Sequence, residues 1–361
     1  MRLNNWKFNI TTGGWVAALC VGLLFSACTT EMQTDPVSTS STELGDDVLK
    51  ANPYPGLINL EGLSTDSFGD EGDINESSRG LPSAKARFNI ELRYITPPTD
   101  RQREVFQDAV DRWERIIIGD EANLTGVVIP SAFPGVSPIV TADQVLDDVI
   151  IEVNLREIDG IGSVLGRAGP RFIRIPEETT ISGLMEFDVA DLAGLEAANL
   201  FEEVIIHEMG HVLGIGTLWQ RKGLLVIDSF EQAVDPDYLG RFGNIFWKTE
   251  GGEGLLPIEG AFFRPDGTPF TRPGTSYGHW DEDLLFNELM TGFLNGGVEN
   301  PLSRITAGSV RDLGYKSANV GERYDLPSQG ARTLRISEDG INIAEAEELF
   351  LPIGTVSRTG N

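Results

Sequence analysis

Apolar and polar residues alternate at Phe88, Ile90, Leu92 and Tyr94, the period of a strand with one buried face. The rhythm then lengthens. Phe106, Val110, Trp113 and Ile117 recur at helical intervals behind a Thr99/Gln102 capping-box spacing, which predicts an amphipathic helix over residues 100–118. Alternation returns at 149–155, predicting a second strand, and 181–187 reads as another, with Ser182-Gly183 near its start. Between them, residues 160–169 are rich in glycine. Their spacing does not match a phosphate-binding turn and no helix signal follows, so they read as a loop. A second helix is predicted from Asn199, with Glu202 at capping distance, burying Phe201, Val204, Ile205, Val212 and Leu213 and stopping at Gly214. Residues 216–278 read as loops full of Gly and Pro, and a last helix is predicted over 303–313. Strands and helices mixed in this way predict an α+β fold, with no internal repeat.

Upstream of the periodic region the chain changes character. Arg2 and Lys7 precede an apolar stretch from Trp15 to Phe25 that ends Phe25-Ser26-Ala27-Cys28, which reads as an export signal too short to span a bilayer. Small residues abutting a cysteine resemble the bacterial lipobox, so residues 1–27 are expected to be removed and Cys28 to be acylated. Residues 28–83, rich in Ser, Thr, Asp, Gly and Pro, are predicted to be a flexible tether or a short propeptide. Thr29, in place of an aspartate after Cys28, favours the outer membrane of a bacterial envelope. The formal charge of −27 argues against a nucleic-acid partner and leaves membrane attachment to the N-terminal lipid. With only Cys20 and Cys28 in 361 residues, and Cys20 inside the signal, no disulfide is expected.

The candidate chemistry lies in histidine. There are only three, His207 and His211 in His207-Glu208-Met209-Gly210-His211, and His279 in Gly278-His279-Trp280. Histidines four apart on a helix share one face, so both can reach one metal while Glu208 points toward the same pocket. A catalytic zinc keeps three protein ligands and one open position, and it lowers the pKa of water and polarises a carbonyl. Glu208 is the expected general base and then acid. In the compact form of this motif a third histidine would lie where Thr217 stands. His279 is therefore the favoured third ligand, with Glu231, Glu250 or Glu253 as the glutamate alternative.

The run from His207 to Gly214 resembles the zinc helix of the metzincins. Gly278-His279-Trp280-Asp281-Glu282, followed by Asn287-Glu288-Leu289-Met290-Thr291-Gly292, resembles the distal third-ligand and Met-turn segment of the leishmanolysin-like branch. Ser303-Arg304-Ile305-Thr306 and Asp312-Leu313-Gly314-Tyr315 are similar to its closing helix. The resemblance implies a metzincin-like catalytic domain over 84–327, with a twisted mixed sheet and helices in an N-terminal subdomain, an irregular C-terminal subdomain and a cleft between. It implies that Met290 is a floor beneath the zinc and that 181–187, with Gly183, Leu184, Met185 and Glu186, forms the cleft edge to which a substrate adds as a strand. Tyr277 and Tyr315 read as packing residues, and the tail at 328–361 has no assigned role.

The expected function is thus hydrolysis of polypeptide by a lipid-anchored zinc endopeptidase with one catalytic zinc. A surface-binding lipoprotein with a non-catalytic zinc, or a zinc hydrolase with a glutamate as third ligand, is the alternative.

Overall fold

The alternating segments pair into a six-stranded mixed sheet. In the computed structural model its strands are β1 (Ile90–Tyr94), β2 (Val149–Arg156), β3 (Gly166–Ile175), β4 (Thr180–Asp188), β5 (Glu347–Leu349) and β6 (Gly354–Ser357). Their order is β1-β2-β4-β3-β5, with β6 also on β3. The structure describes residues 87–229, 233–264, 266–270, 276–327 and 340–357, all within the compact unit Asp46–Asn361. The expectations for the signal, Cys28 and the tether lie outside the described residues, among which no helix is long and apolar enough to cross a membrane.

Strands β1, β2 and β4 run parallel, whereas β3 is antiparallel to β4. Every residue of β4 is buried, as are all but the last of β2, which is the pattern of central strands covered on both faces. Helix α1 (Asp100–Ile116) carries the expected capping box, with Thr99 and Gln102 bonded reciprocally. It ends two residues before the expected 118, because Ile117–Gly119 leaves the helix to pair with Lys316–Ser317. Val105, Phe106, Ala109, Val110, Trp113 and Ile116 form its buried stripe. This face packs on α3 (Phe201–Leu213), which in turn lies on β3 and β4. Full burial of Phe106 and Trp113 contributes on the order of 2–3 kcal/mol each.

Several expectations need correction. The strand holding Gly183, Leu184, Met185 and Glu186 is not an edge, because it is paired to β2 on one side and to β3 on the other. The Glu186 carboxylate is spent on Arg156, 2.6 Å away. The strand nearer the sheet border is β3, within the segment read as a loop up to residue 169. Gly166, Gly169 and Pro170 interrupt its alternation and conceal its period. Asn199 does not start the second long helix. It sits in left-handed conformation at the end of α2 (Leu192–Ala198), and α3 begins after Leu200 with no side-chain cap. The stretch 216–278, expected to be irregular, includes α4 (Arg241–Thr249), whose buried face is short. The last expected helix forms as α5 (Arg304–Asp312), capped by the Ser303 side chain.

Candidate metal centre

Helix α3 is buried on every side over its last two turns, so His207 and His211 are held by packing before any ligand is considered. Gly210 between them has a steric reason. A Cβ there would lie 2.7 Å from the Met290 sulfur and 3.0 Å from Trp113 Cζ2, so only glycine lets both side chains close against the helix. Trp113 also donates its indole N–H to the Ile206 carbonyl at 2.9 Å, tying α1 to the turn that carries His207.

The helix ends in a Schellman pattern, in which Gly214 N–H donates to the His211 carbonyl at 3.2 Å and Ile215 N–H to that of Gly210 at 3.1 Å. The Ile215 carbonyl is thereby turned back onto the His211 ring, with its oxygen 2.9 Å from Nδ1. Thr217, at the place of the compact motif's third histidine, donates its hydroxyl to the His211 carbonyl at 2.7 Å and closes the helix end. Gly216 then passes back to back with Gly278. Its φ is +71° and a Cβ there would lie 2.4 Å from the Gly278 carbonyl oxygen. That contact seats His279 beside α3 although the two lie far apart along the chain.

The three imidazoles converge through Nε2. His207 and His211 present these atoms 2.9 Å apart, and His207 and His279 present theirs 3.2 Å apart. The carbonyls of Leu289 and Ile215 lie 2.7 and 2.9 Å from Nδ1 of His207 and His211, so Nδ1 is the donor to the main chain and Nε2 is the nitrogen turned toward the cluster. All three rings are buried. Burial pushes His279 down to about 4, against the pull of the nearby Glu347 carboxylate, so the ring is neutral at pH 7. Lone pairs aimed at one another across about 3 Å suit a cation between them.

A fourth side chain joins this cluster from the far end of the chain. Glu347, at the start of β5, places its carboxylate oxygens 2.9 Å from His279 Nε2, 3.4 Å from that of His207 and 3.5 Å from that of His211. Ligand bonds of about 2.0–2.1 Å set tetrahedral ligand atoms about 3.3 Å apart, so these four buried groups fit a divalent metal. Burial alone would raise the Glu347 carboxyl, and a proton on His211 or His279 pulls it below the usual range, so this carboxyl and the rings share charge as one buried cluster.

Glu208 is fully buried beside this group, and no donor is placed against either of its oxygens. Burial and the neighbouring Glu347 charge raise it well above the ordinary carboxylate range. A Cβ on Gly166, the first residue of β3, would lie 3.0 Å from its Oε1, so the candidate base sits directly under the start of that strand.

Of the glutamates considered as third ligands, Glu250 is paired with Arg304 and Glu253 is exposed, while Glu231 lies outside the described residues. Glu347 was not among them. It falls in Ala344-Glu345-Ala346-Glu347-Glu348, an acidic run whose pattern carries no ligand spacing, and only the fold brings it to the histidines. Tyr315 packs at 5.6 Å against Phe88 and accepts from Thr180 N–H, and burial pushes its hydroxyl up to about 12. Tyr277 is partly buried against the core.

Residues 279–306 form one buried network. Glu288 accepts from Met290 N–H at 2.7 Å, from Ser303 N–H at 3.0 Å, and from the hydroxyls of Ser303 and Thr306 at 2.7 and 2.6 Å. Thr306 accepts from the Trp280 indole at 2.8 Å, and Trp280 N–H donates to the Met290 carbonyl at 2.9 Å. The His279 segment, the Met290 turn and α5 are thereby held together. Compared with family models and with curated proteins, the chain matches neither.

Proposed function

We propose that the chain is a zinc-dependent endopeptidase of leishmanolysin-like character, with His207, His211 and His279 holding the metal and Glu208 moving the proton. The observation that carries this reading is the convergence of three imidazole Nε2 atoms beside a buried carboxylate on the helix that supplies two of them. Zinc bound there would polarise a substrate carbonyl and make water a stronger acid. Glu208 takes the proton of the attacking water and delivers it to the leaving amine, a role favoured by a carboxyl whose proton affinity burial has raised. His207 and His211 keep their orientation through the carbonyls of Leu289 and Ile215. Met290 closes the floor against Gly210, and the substrate polypeptide lies in extended form over Glu208. Attachment to a bacterial envelope through a lipid on Cys28 belongs to the same reading.

The test is hydrolysis of an unfolded protein by the purified chain, with and without a chelator. Glu208→Ala is expected to keep its zinc while losing at least ~100-fold in turnover. Undiminished hydrolysis by that variant sinks the mechanism. A non-catalytic zinc site is the second reading, favoured by Glu347, which can fill a fourth position. It requires that no form of the protein, zinc-loaded or with Glu347 replaced, hydrolyses peptide bonds.

A further inference from the structure

The C-terminal segment lies along the whole outer side of β3. Strand β5 pairs in parallel with Gly166–Ala168, and β6 continues along Phe172–Ile175. Leu165 N–H donates to the Ala346 carbonyl at 2.7 Å, Phe350 N–H to that of Ala168 at 2.7 Å, and Ile353 N–H to that of Arg171 at 2.9 Å. Gly169 makes room for this, since a Cβ there would lie 2.1 Å from the Phe350 carbonyl oxygen. Ile343, Ala344 and Leu349 anchor the segment in the core, whereas Leu351 and Ile353 remain exposed. In register with Gly166, and so beside Glu208, stands Glu347 with its carboxylate among the three imidazoles.

We propose that residues 342–357 are an internal plug, with Glu347 as a removable fourth metal ligand and β5–β6 as a stand-in for an extended polypeptide on the border of β3. The proposal rests on the peptidase reading for its consequence, although the plug itself is defined by geometry. Two separate requirements of a peptidase are met at once by one short segment of the same chain. An oxygen sits where a carbonyl or water oxygen would approach the metal, and main-chain hydrogen bonds occupy the strand that lies over the base. A purely structural ligand needs only the first of these. The segment continues beyond Glu347 into β6, four further residues paired on β3, of which Thr355 and Ser357 are exposed and Val356 packs against the core. Glu347 carries no chain cleavage itself, since it offers a side-chain carboxylate and not a peptide carbonyl. Release requires that an extended chain displace β5, whose ladder on β3 is three residues long, and that Glu347 leave the imidazoles.

The test uses the zinc-loaded full-length protein, Glu347→Gln, which preserves shape, and Leu349→Asp, which weakens the anchor. Acetohydroxamate, a small bidentate zinc binder, probes the open position independently of hydrolysis, and amide exchange at Leu165 reports the Ala346 contact. Both variants are expected to bind acetohydroxamate at least tenfold more tightly than the parent, and Leu349→Asp to lose Leu165 amide protection. Glu347→Gln is also expected to hold zinc at least tenfold more weakly in chelator competition. If hydrolysis of an unfolded protein rises with hydroxamate affinity, plug and peptidase readings stand together. If hydroxamate affinity rises and no variant hydrolyses, the plug stands and the peptidase reading falls. If Glu347→Gln alters neither hydroxamate nor zinc affinity, the plug is overturned, whatever becomes of Leu349→Asp.

Discussion

Replacing Glu288 by alanine removes the carboxylate that joins the Met290 turn to α5. The side chain is fully buried and accepts four hydrogen bonds, two from backbone N–H groups and two from hydroxyls. The hydroxyls of Ser303 and Thr306 can rotate toward other acceptors, but the amides of Met290 and Ser303 cannot. Each orphaned buried donor costs roughly 1–3 kcal/mol, and the space left behind adds on the order of 1 kcal/mol. Against this, burial pushes the carboxyl's pKa up, so losing the charge recovers part of the cost. The balance is a destabilisation of about 3 kcal/mol, a large share of the roughly 5–15 kcal/mol that holds an ordinary domain. Because the neighbouring Leu289 carbonyl orients His207, zinc affinity should also fall about 10–100-fold. Urea unfolding followed by tryptophan fluorescence, with chelator competition for zinc, measures both. Glu299→Ala, on an exposed turn nearby, serves as the control and should shift stability by no more than about 0.5 kcal/mol. A Glu288→Ala protein within about 1 kcal/mol of the parent and with equal zinc affinity would refute the argument.

Other outcomes follow from the same geometry. Gly216→Ala places a Cβ 2.4 Å from the Gly278 carbonyl oxygen at a φ of +71°, so zinc affinity should fall at least tenfold while the helical circular dichroism stays near that of the parent; unchanged affinity would remove Gly216 from the account of how His279 is seated. Chelation should lower stability, since metal at 100 times its Kd contributes about 2.7 kcal/mol; coincident urea curves for loaded and stripped protein would mean that the cluster does not bind metal in the folded state. Burial would raise Asp188, but backbone N–H donors of Ala190, Asp159, Gly160 and Ile158 outweigh it and hold the carboxyl at about 2. A folded pKa below the unfolded value contributes stability that is present above about pH 4 and lost as pH falls toward 2. Asp188→Asn should therefore cost about 1–2 kcal/mol at pH 7, after allowance for solvent screening, and close to nothing extra at pH 2; an equal loss at both pH values would assign the effect to shape and not to charge.

Much of the site was legible in the chain because its residues obey local rules. The capping box at Thr99 and Gln102 needs only three residues to be recognised, and the stripe through Trp113 needs only one helix. Ligand spacing in His207 and His211 is likewise local, and His279 could be reached by elimination among three histidines. What failed was decided by distant partners. Asn199 has both the residue type and the spacing of an N-cap, yet it ends the preceding helix because the chain reverses there. Strand β3 hides behind Gly166, Gly169 and Pro170, residues that a strand tolerates only where another backbone approaches closely or a ladder bond is dispensable. Glu347 has no signature at all, since its significance comes from β5 pairing with a strand some 180 residues earlier. Gly183 to Glu186 could stand in an edge or a central strand, and only the pairing on both sides decides between them.

The lining of β3 by β5 and β6 also bears on colloidal behaviour. A bare strand border is a template on which other molecules add their own strands, and natural folds cover or charge such borders to prevent it. Molecules with the C-terminal cover lifted would expose the ladder from Gly166 to Ile175, leaving mutual repulsion from a charge of −27 to resist self-association. Salt would weaken that repulsion, so uncovered protein should begin to form oligomers at ionic strengths that leave the covered form dispersed.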